Sequence, residues 1–527
     1  MLARCNSAAL QGLEALPVRV EVDITPGLPG LLMVGLADAA VQEARERVRS
    51  ALRNSGLKVP LTRVVVSLAP ADLRKAGPAF DLPIALALLI ASGQLAPQRL
   101  EGVWSAAELG LDGRLRPVRG VLALALTARH QGAKALLVPA ANAGEAALVE
   151  GLTVWSAEDL AGVLALLADP DRAPRAKARS CRAAATPLPD LADVHGQPHG
   201  RRALEIAAAG GHHLLLVGPP GSGKTMLARR LPGLLPPLQR QEALEITGLH
   251  SVAGLLADGG ALVRSRPFRS PHHSCSASAL IGGGSLPRPG ELSLAHHGVL
   301  FLDELAEYRR EVLETLRQPL EEGEAWISRA RQRCRFPCRI TLVAATNPCP
   351  CGWQGDPERA CVCGEGERRR YWSRLSGPLL DRLDLQVVMR RPSVRDLVAV
   401  TGCRATPYGA EPSGADGEAA PESSSTVAAR VRRARRRMER RNPGGAANAA
   451  LPAEALAGVL TMEASAARLW EAALEQRHLS ARAALRLLRV ARTIADLNGN
   501  REVGAKTIAE ALTYRSFDLL GPGPGGA

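Results

Sequence analysis

The stretch Leu214-Leu215-Leu216-Val217-Gly218-Pro219-Pro220-Gly221-Ser222-Gly223-Lys224-Thr225 joins an apolar run to a glycine-rich turn ending in Lys-Thr. An unbroken apolar run without polar alternation suits a strand buried on both faces. The glycines behind it let consecutive backbone N–H groups close around an anion, and Met226-Leu227-Ala228 continues as a helix. Such a loop cradles nucleotide phosphates: Lys224 reaches the β- and γ-phosphates, and Thr225 offers its hydroxyl to Mg²⁺. A glycine-rich turn with no chemical use would leave Lys224 unexplained.

A second apolar strand, Val299 to Leu302, ends in Asp303-Glu304. Alone, an acidic pair is often a solvated helix start. In register with the phosphate loop, Asp303 holds magnesium through water and Glu304 orients and polarises the hydrolytic water. A third strand, Ile340 to Ala345, ends in Thr346-Asn347, where Asn347 either bonds the γ-phosphate or the water, or is simply a turn residue before Pro348. Arg382, in Leu379-Leu380-Asp381-Arg382-Leu383-Asp384, fits a finger reaching a neighbouring subunit's γ-phosphate. Arg482, in Leu479-Ser480-Ala481-Arg482, fits a lid residue sensing the same group. These elements predict a nucleoside triphosphatase using ATP and Mg²⁺.

The 527 residues allow roughly three domains of about 150 residues each. Lysine and arginine number 66 against 52 acidic residues, a net charge of +14, so nucleic acid is the first candidate partner and an anionic membrane surface the second. The abundance of arginine and alanine also fits a biased genomic composition. No run approaches the roughly 20 apolar residues of a membrane span, and Leu82 to Ala91 reads as a core helix. The start, with Glu14 and Pro17, is not a secretory signal. A cytoplasmic, reducing setting is expected, so the ten cysteines are not a disulfide framework. Aromatic residues make up only 3% of the chain, which disfavours a base-stacking platform and leaves any grip on DNA electrostatic.

The pattern predicts an α/β fold class. Residues 1–170 form an α+β domain, with strands at Val18 to Ile24, Arg63 to Leu68 and Ala135 to Val138, and a hairpin turn at Asp112-Gly113. An amphipathic helix spans Asp38 to Asn54, closed near Gly56, and an apolar one spans Asp81 to Ser92. Residues 171–198 read as a linker and 199–400 as a nucleotide-binding core, a mostly parallel sheet covered on both faces. Residues 401–425 read as a flexible connection and 426–520 as a helical lid starting at Ser424 or Thr426, before a floppy tail from Gly521.

Cys349, Cys351, Cys361 and Cys363 form two C-x-C pairs nine residues apart. Four thiolates so close suit a structural Zn²⁺ that ties off a loop, against free or transient redox thiols. Cys334 and Cys338 could substitute as ligands. Arg430, Arg432, Arg433, Arg435, Arg436, Arg437, Arg440 and Arg441 crowd one helix, either contacting DNA phosphates or forming a solvated surface. The insert Arg264 to His297, with Arg264, Arg266, Arg269 and Arg288, could project into a central pore and grip a phosphate backbone. Its His272-His273 and His296-His297 pairs are poor metal candidates, because neighbours on a loop seldom share one ion.

In this order the motifs resemble an AAA+ ATPase of the branch containing magnesium chelatase and the minichromosome-maintenance helicases. The closer resemblance is to the ComM/YifB family of magnesium-chelatase-like ATPases. It is carried by Arg266-Pro267-Phe268-Arg269-Ser270-Pro271-His272-His273-Ser274, Pro287-Arg288-Pro289-Gly290-Glu291, Asn347-Pro348-Cys349-Pro350-Cys351-Gly352 and Leu375-Ser376-Gly377-Pro378-Leu379-Leu380-Asp381-Arg382. The resemblance implies a homo-oligomeric ring, a hexamer, with Arg382 completing the adjacent site. It implies DNA, single-stranded or branched, as partner, and a helicase or branch-migration activity in recombination of incoming strands. A chelatase-type motor subunit and a protein-remodelling ATPase are the alternatives. The N-terminal part resembles the Lon protease fold (ribosomal S5 domain 2-like) at Lys75-Ala76-Gly77-Pro78-Ala79 and Glu108 to Val118. Ala79 stands where that fold carries its serine and Leu122 near its lysine, so peptidase activity is not expected.

Overall fold

The computed structural model describes residues 2–171, 174–178, 188–256, 260–284, 287–329, 332–392, 421–477 and 479–515. The connection expected at 401–425 lies outside the described residues up to residue 420, and so does the tail from Gly521.

The N-terminal strands are β1 (Leu2–Gln11), β2 (Glu14–Thr25), β3 (Gly30–Val34), β4 (Arg63–Ala69), β5 (Val103–Ser105), β6 (Glu108–Leu109), β7 (Leu115–Arg116), β8 (Ala135–Pro139) and β9 (Thr153–Ala157). Among the described residues they build a mixed sheet ordered β3-β4-β2-β1-β5-β8-β9, with β6 and β7 as a separate hairpin turned at Gly113, whose φ is +84°. The helix Ala39–Asn54 starts where the Asp38 side chain accepts from the Val41 amide, and it buries Val41, Ala44, Val48, Ala51 and Leu52. The helix Asp81–Ala91 is buried along its whole length. Its first residue forms a buried ion pair with Arg47 at 2.7 Å.

The second sheet is built from β10 (Leu214–Val217), β11 (Phe268–Arg269), β14 (Val299–Leu302), β17 (Thr341–Thr346) and β18 (Leu385–Val388). Between them lie two hairpins, β12 (Gly282–Gly283) with β13 (Arg288–Pro289), and β15 (Glu324–Arg329) with β16 (Gln332–Pro337). The sheet order is β11-β14-β17-β10-β18 and every pairing is parallel. All residues of β10, β14 and β17 are buried, as expected for strands covered on both faces. Parallel alignment puts the residues following β10, β14 and β17 at one end of the sheet, the carboxyl end, where α/β folds bind ligands.

One face of this sheet is covered from the C-terminal part. Val427, Val431, Ala434 and Met438 of the helix Ser424–Arg441, and Leu487, Val490 and Ile494 of the helix Ala481–Asn498, share a core with Leu214, Leu216 and Val343. Ser423, not Ser424 or Thr426, caps the first of these helices, accepting from the Thr426 amide at 3.4 Å. Leu191 and Val194, from the segment expected to be a linker, are buried in the same core. Asp190 fixes that segment: its carbonyl accepts from Arg230 and its carboxylate from the Ser424 amide, both at 2.6 Å.

The two sheets are tied together by the helix Arg240–Ala253. Buried Glu145 of the N-terminal part accepts from the Leu122 amide at 2.8 Å and from the Ser251 hydroxyl on that helix. Leu13, in the β1–β2 turn, packs on Leu249, Ile327, Cys334 and Phe336. Among the described residues no helix is long and apolar enough to cross a membrane.

Candidate nucleotide site

The carboxyl ends of three adjacent strands bring together Lys224, Thr225, Asp303 and Asn347. Lys224, at the start of the helix Lys224–Ala228, turns back over its loop and donates to the Gly218 and Pro219 carbonyls at 2.6 and 3.0 Å. It also donates to Asn347 Oδ1 at 3.2 Å, so the Asn347 side chain faces the loop. Thr225 Oγ1 donates to Asp303 Oδ2 at 2.8 Å. Burial pushes the Lys224 ammonium down to about 8, against the pull of Asp303 and Glu304. An anion seated in the loop would reverse that shift.

The loop fits such an anion. Gly221 and Gly223 have φ of +77° and +86°, a backbone that favours glycine, and a Cβ at either would meet nothing within 4 Å. The Ser222 hydroxyl is buried and has no hydrogen-bond partner. At Gly218 a Cβ would stand 2.7 Å from the Met389 carbonyl, so only glycine lets the strand continue there.

Glu304 is exposed, in the left-handed region at φ +52°, and its carboxylate pairs with His273 at 3.0 Å. A non-glycine residue in that region is strained and is held there by its surroundings. Sequence reasoning named the His272-His273 pair without placing it on Glu304.

Arg382 and Arg482 are not brought to Lys224. Both line a cleft of about 980 Å³ bordered by Gly211, His213, Gly298, Thr341 and Asp384, residues at the opposite, amino ends of the strands. A strand the length of β10 separates these ends by about 13 Å. Arg382 is largely buried, donating to the Arg317 and Pro378 carbonyls and pairing with Glu321. Arg482 is exposed. Behind them Asp384 accepts from Arg486 at 2.9 Å and bonds His212 at 3.1 Å, while His212 meets Thr493 at 2.8 Å. None of this network was read from the sequence.

The four clustered thiols converge. The Sγ atoms of Cys349, Cys351, Cys361 and Cys363 all lie within 4.8 Å of one another. Cys334 and Cys338 are not among them: Cys334 is buried with Leu249 and Phe336, and Cys338 faces the Pro319 carbonyl. His296 and His297 also converge, each placing Nε2 on Glu245 Oε2, at 3.1 and 2.9 Å. His296 Nδ1 accepts from the Arg339 amide, so its Nε2 carries the proton and donates to Glu245. That nitrogen is not free to bind a metal.

The basic segments are only partly available. Arg266 is tied to the Pro236 and His297 carbonyls and to Glu242, and Arg269 forms a two-pronged pair with Glu291 at 2.6 and 2.7 Å. Arg264 and Arg288 remain exposed. On the helix Ser424–Arg441, Arg430 pairs with Glu205 and Glu422, Arg435 donates to the Ala208 carbonyl, and Arg437 and Arg441 bind Asp496. Arg432, Arg433, Arg436 and Arg440 face solvent.

A five-stranded parallel α/β sheet with this loop, acidic pair and polar strand end defines a magnesium-chelatase-like AAA+ ATPase. The chain matches the family described as "Magnesium chelatase, subunit ChlI" over residues 190–397, "Subunit ChlI of Mg-chelatase" over 20–142, and "Magnesium chelatase, subunit ChlI C-terminal" over 421–515. It is 45% identical over 527 residues to an uncharacterised protein of Mycobacterium tuberculosis and 43% identical over 522 residues to the protein YifB of Escherichia coli. It is 42% identical over 528 residues to the competence protein ComM of Haemophilus influenzae. In all three cases the match covers 98% of each chain. The chain belongs to the ComM/YifB family of magnesium-chelatase-like proteins.

Proposed function

We propose that this chain is an ATP-hydrolysing motor that assembles into a ring, a hexamer, and acts on DNA as a branch-migration helicase during recombination of incoming strands. The observation that carries it is the split geometry: Lys224, Thr225, Asp303, Glu304 and Asn347 gather at one end of the parallel sheet, while Arg382 and Arg482 lie at the other. A γ-phosphate bound at Lys224 lies out of reach of the same chain's arginines. A second copy supplies them.

In this reading Gly218 to Gly223 wrap the phosphates with backbone N–H groups, and Lys224 leaves its loop carbonyls for the β- and γ-phosphates. Thr225 and Asp303 hold Mg²⁺, which supplies charge neutralisation on the phosphates when bound. Glu304 orients the attacking water and accepts its proton, and Asn347 bonds the water or the γ-phosphate. Arg382 and Arg482 act in trans on charge that develops as the phosphoryl group departs.

The DNA half rests on the net charge of +14, on exposed Arg264, Arg288, Arg432, Arg433, Arg436 and Arg440, and on the name of the competence-protein relative. The N-terminal part is read as a Lon-like module without peptidase chemistry, because Ala79 and Leu122 sit in one apolar cluster. A structural Zn²⁺ at the four thiols completes the proposal.

The test is the ATPase rate of the full chain with single-stranded, forked and four-way-junction DNA at low salt, beside Lys224→Ala. Stimulation by DNA that is lost in the variant is expected. A rate indifferent to every DNA would replace the DNA motor with a protein-remodelling role.

A further inference from the structure

We infer that the metal held by Cys349, Cys351, Cys361 and Cys363 braces the phosphate loop, so that its presence sets the affinity for nucleotide. This rests on the ATP and zinc readings above and adds the link between them.

The thiol geometry is that of a closed tetrahedral site. Sγ–Sγ separations are 3.3 Å for Cys349–Cys351, 3.6 Å for Cys349–Cys361 and 3.5 Å for Cys351–Cys361. Zinc–sulfur bonds of about 2.3 Å at tetrahedral angles put neighbouring sulfurs about 3.8 Å apart. Three of the four thiols therefore already stand within a few tenths of an ångström of that spacing, and the Cys363 sulfur lies within 4.8 Å of them. The Cys351 amide donates to Cys363 Sγ at 3.3 Å, the kind of outer bond that steadies a ligating thiolate. Cys349 is fully buried, and four sulfurs would fill every position of a tetrahedral ion, leaving no open place for catalysis.

The same loop rests on the nucleotide site. Gly352, one residue after Cys351, has φ +84°, and a Cβ there would stand 2.7 Å from Pro220 Cδ and 3.1 Å from its Cγ. The zinc turn and the phosphate loop are thus in backbone-to-ring contact with no room between them. Asn347, which receives Lys224, lies two residues before Cys349. Outside these contacts, residues 348–364 are turns and irregular backbone. The far end is anchored where the helix Glu365–Trp372 begins, and Trp372 returns to donate to the Pro348 carbonyl at 3.0 Å. Between Cys351 and Cys361 the segment carries its own contacts, with Asp356 accepting from the Glu358 and Arg359 amides at 2.9 Å and Arg359 lying over Trp353, and the thiols join its two ends. Removing the ion frees the turn under Pro220, and binding ATP must then order it again.

The experiment uses the full chain and a non-hydrolysable fluorescent ATP analogue. Metal content is measured by elemental analysis before and after chelation, and the analogue is titrated in both states and after zinc is returned. Expected are one zinc per chain, affinity weakened roughly tenfold on stripping, as for other outer-sphere supports, and recovery on reloading. Gly352→Ala, which keeps all four thiols, is expected to retain zinc and still weaken the analogue, whereas Cys361→Ser loses both. Iron or no metal in the purified chain would overturn the zinc site. Equal affinity in stripped and loaded protein, within twofold, would overturn the brace while leaving the ATP reading intact. Zinc-loaded protein that fails to bind the analogue at all would sink both.

Discussion

Arg486 donates to Asp384 at 2.9 Å, joining the helix Ala481–Asn498, which also carries Arg482, to the turn that carries Arg382. Asp384 is buried and Arg486 partly so, with His212 on the second carboxylate oxygen. It makes the two arginine-bearing elements one rigid unit.

Asp384→Asn is therefore expected to destabilise the chain by about 1–3 kcal/mol, because it takes the charged acceptor from a partly buried arginine and from His212. Burial alone would raise the Asp384 carboxyl, but His212 and Arg486 outweigh it and hold the group well below the ordinary carboxylate range. The folded value lies below the unfolded one, so this contribution is complete above about pH 4 and is lost as the pH falls below it. Urea unfolding at pH 7 and pH 3 measures the loss, which the variant should not show.

Lys224 titrates near 8 in the free chain because it is desolvated. Nucleotide phosphates require it charged, so binding ATP at pH 8 should take up roughly half a proton, and affinity should fall as the pH rises from 7 to 9. Calorimetry in two buffers of different ionisation enthalpy reads the uptake directly. Lys224→Ala should abolish both binding and proton uptake.

Glu304→Gln should bind ATP as tightly as the parent and lower turnover by about 10²–10⁴-fold, the range for removing a positioned base. The amide cannot accept the proton, and the phosphate contacts are untouched. Rapid filtration of labelled ATP separates retained binding from lost hydrolysis.

Arg382→Ala should keep ATP binding and lose at least about 10³-fold in turnover, as for other arginine fingers. Mixing it with Lys224→Ala, each inactive alone, should restore part of the activity, because some seams then pair an intact Lys224 with an intact Arg382. An activity that stays at zero across all mixing ratios would argue against action in trans.

Replacing Arg432, Arg433 and Arg436 together with Ala should weaken binding to all DNA sequences alike and flatten the salt dependence, since these exposed groups would contact phosphate only. The same change at Arg430 or Arg441 should instead lower stability, because Glu205 and Asp496 each lose one of two arginine partners and keep only Arg202 and Arg492.

The phosphate loop and the strands beneath it were legible because each is a short, local pattern: an apolar run, then glycines, then a fixed polar ending. The helix Ala39–Asn54 was equally plain from its spacing and from Asp38. The strand β1 was not, because Ala3, Cys5, Ser7, Ala8 and Ala9 bury small side chains that carry little hydropathy signal. The fates of the arginines were also hidden. Glu205 lies 225 residues from Arg430, and Asp384 lies 102 from Arg486, distances over which spacing carries no information. The turn from Cys351 to Pro220 was missed for the same reason. The C-x-C pairs pointed to four thiols sharing one place, but nothing in their order tells what the loop leans on.

The sheet that holds Lys224 at one end and Arg382 at the other has a consequence for damaged copies. In the proposed ring every protomer would serve two seams, lending its loop to one neighbour's arginines and its own arginines to the other neighbour's loop. A copy broken at one end would then silence one seam and leave the other intact, whereas a copy faulty at both ends would silence two, so a mixture of sound and doubly faulty chains would lose more turnover than the faulty fraction alone. Such double lesions would behave as dominant.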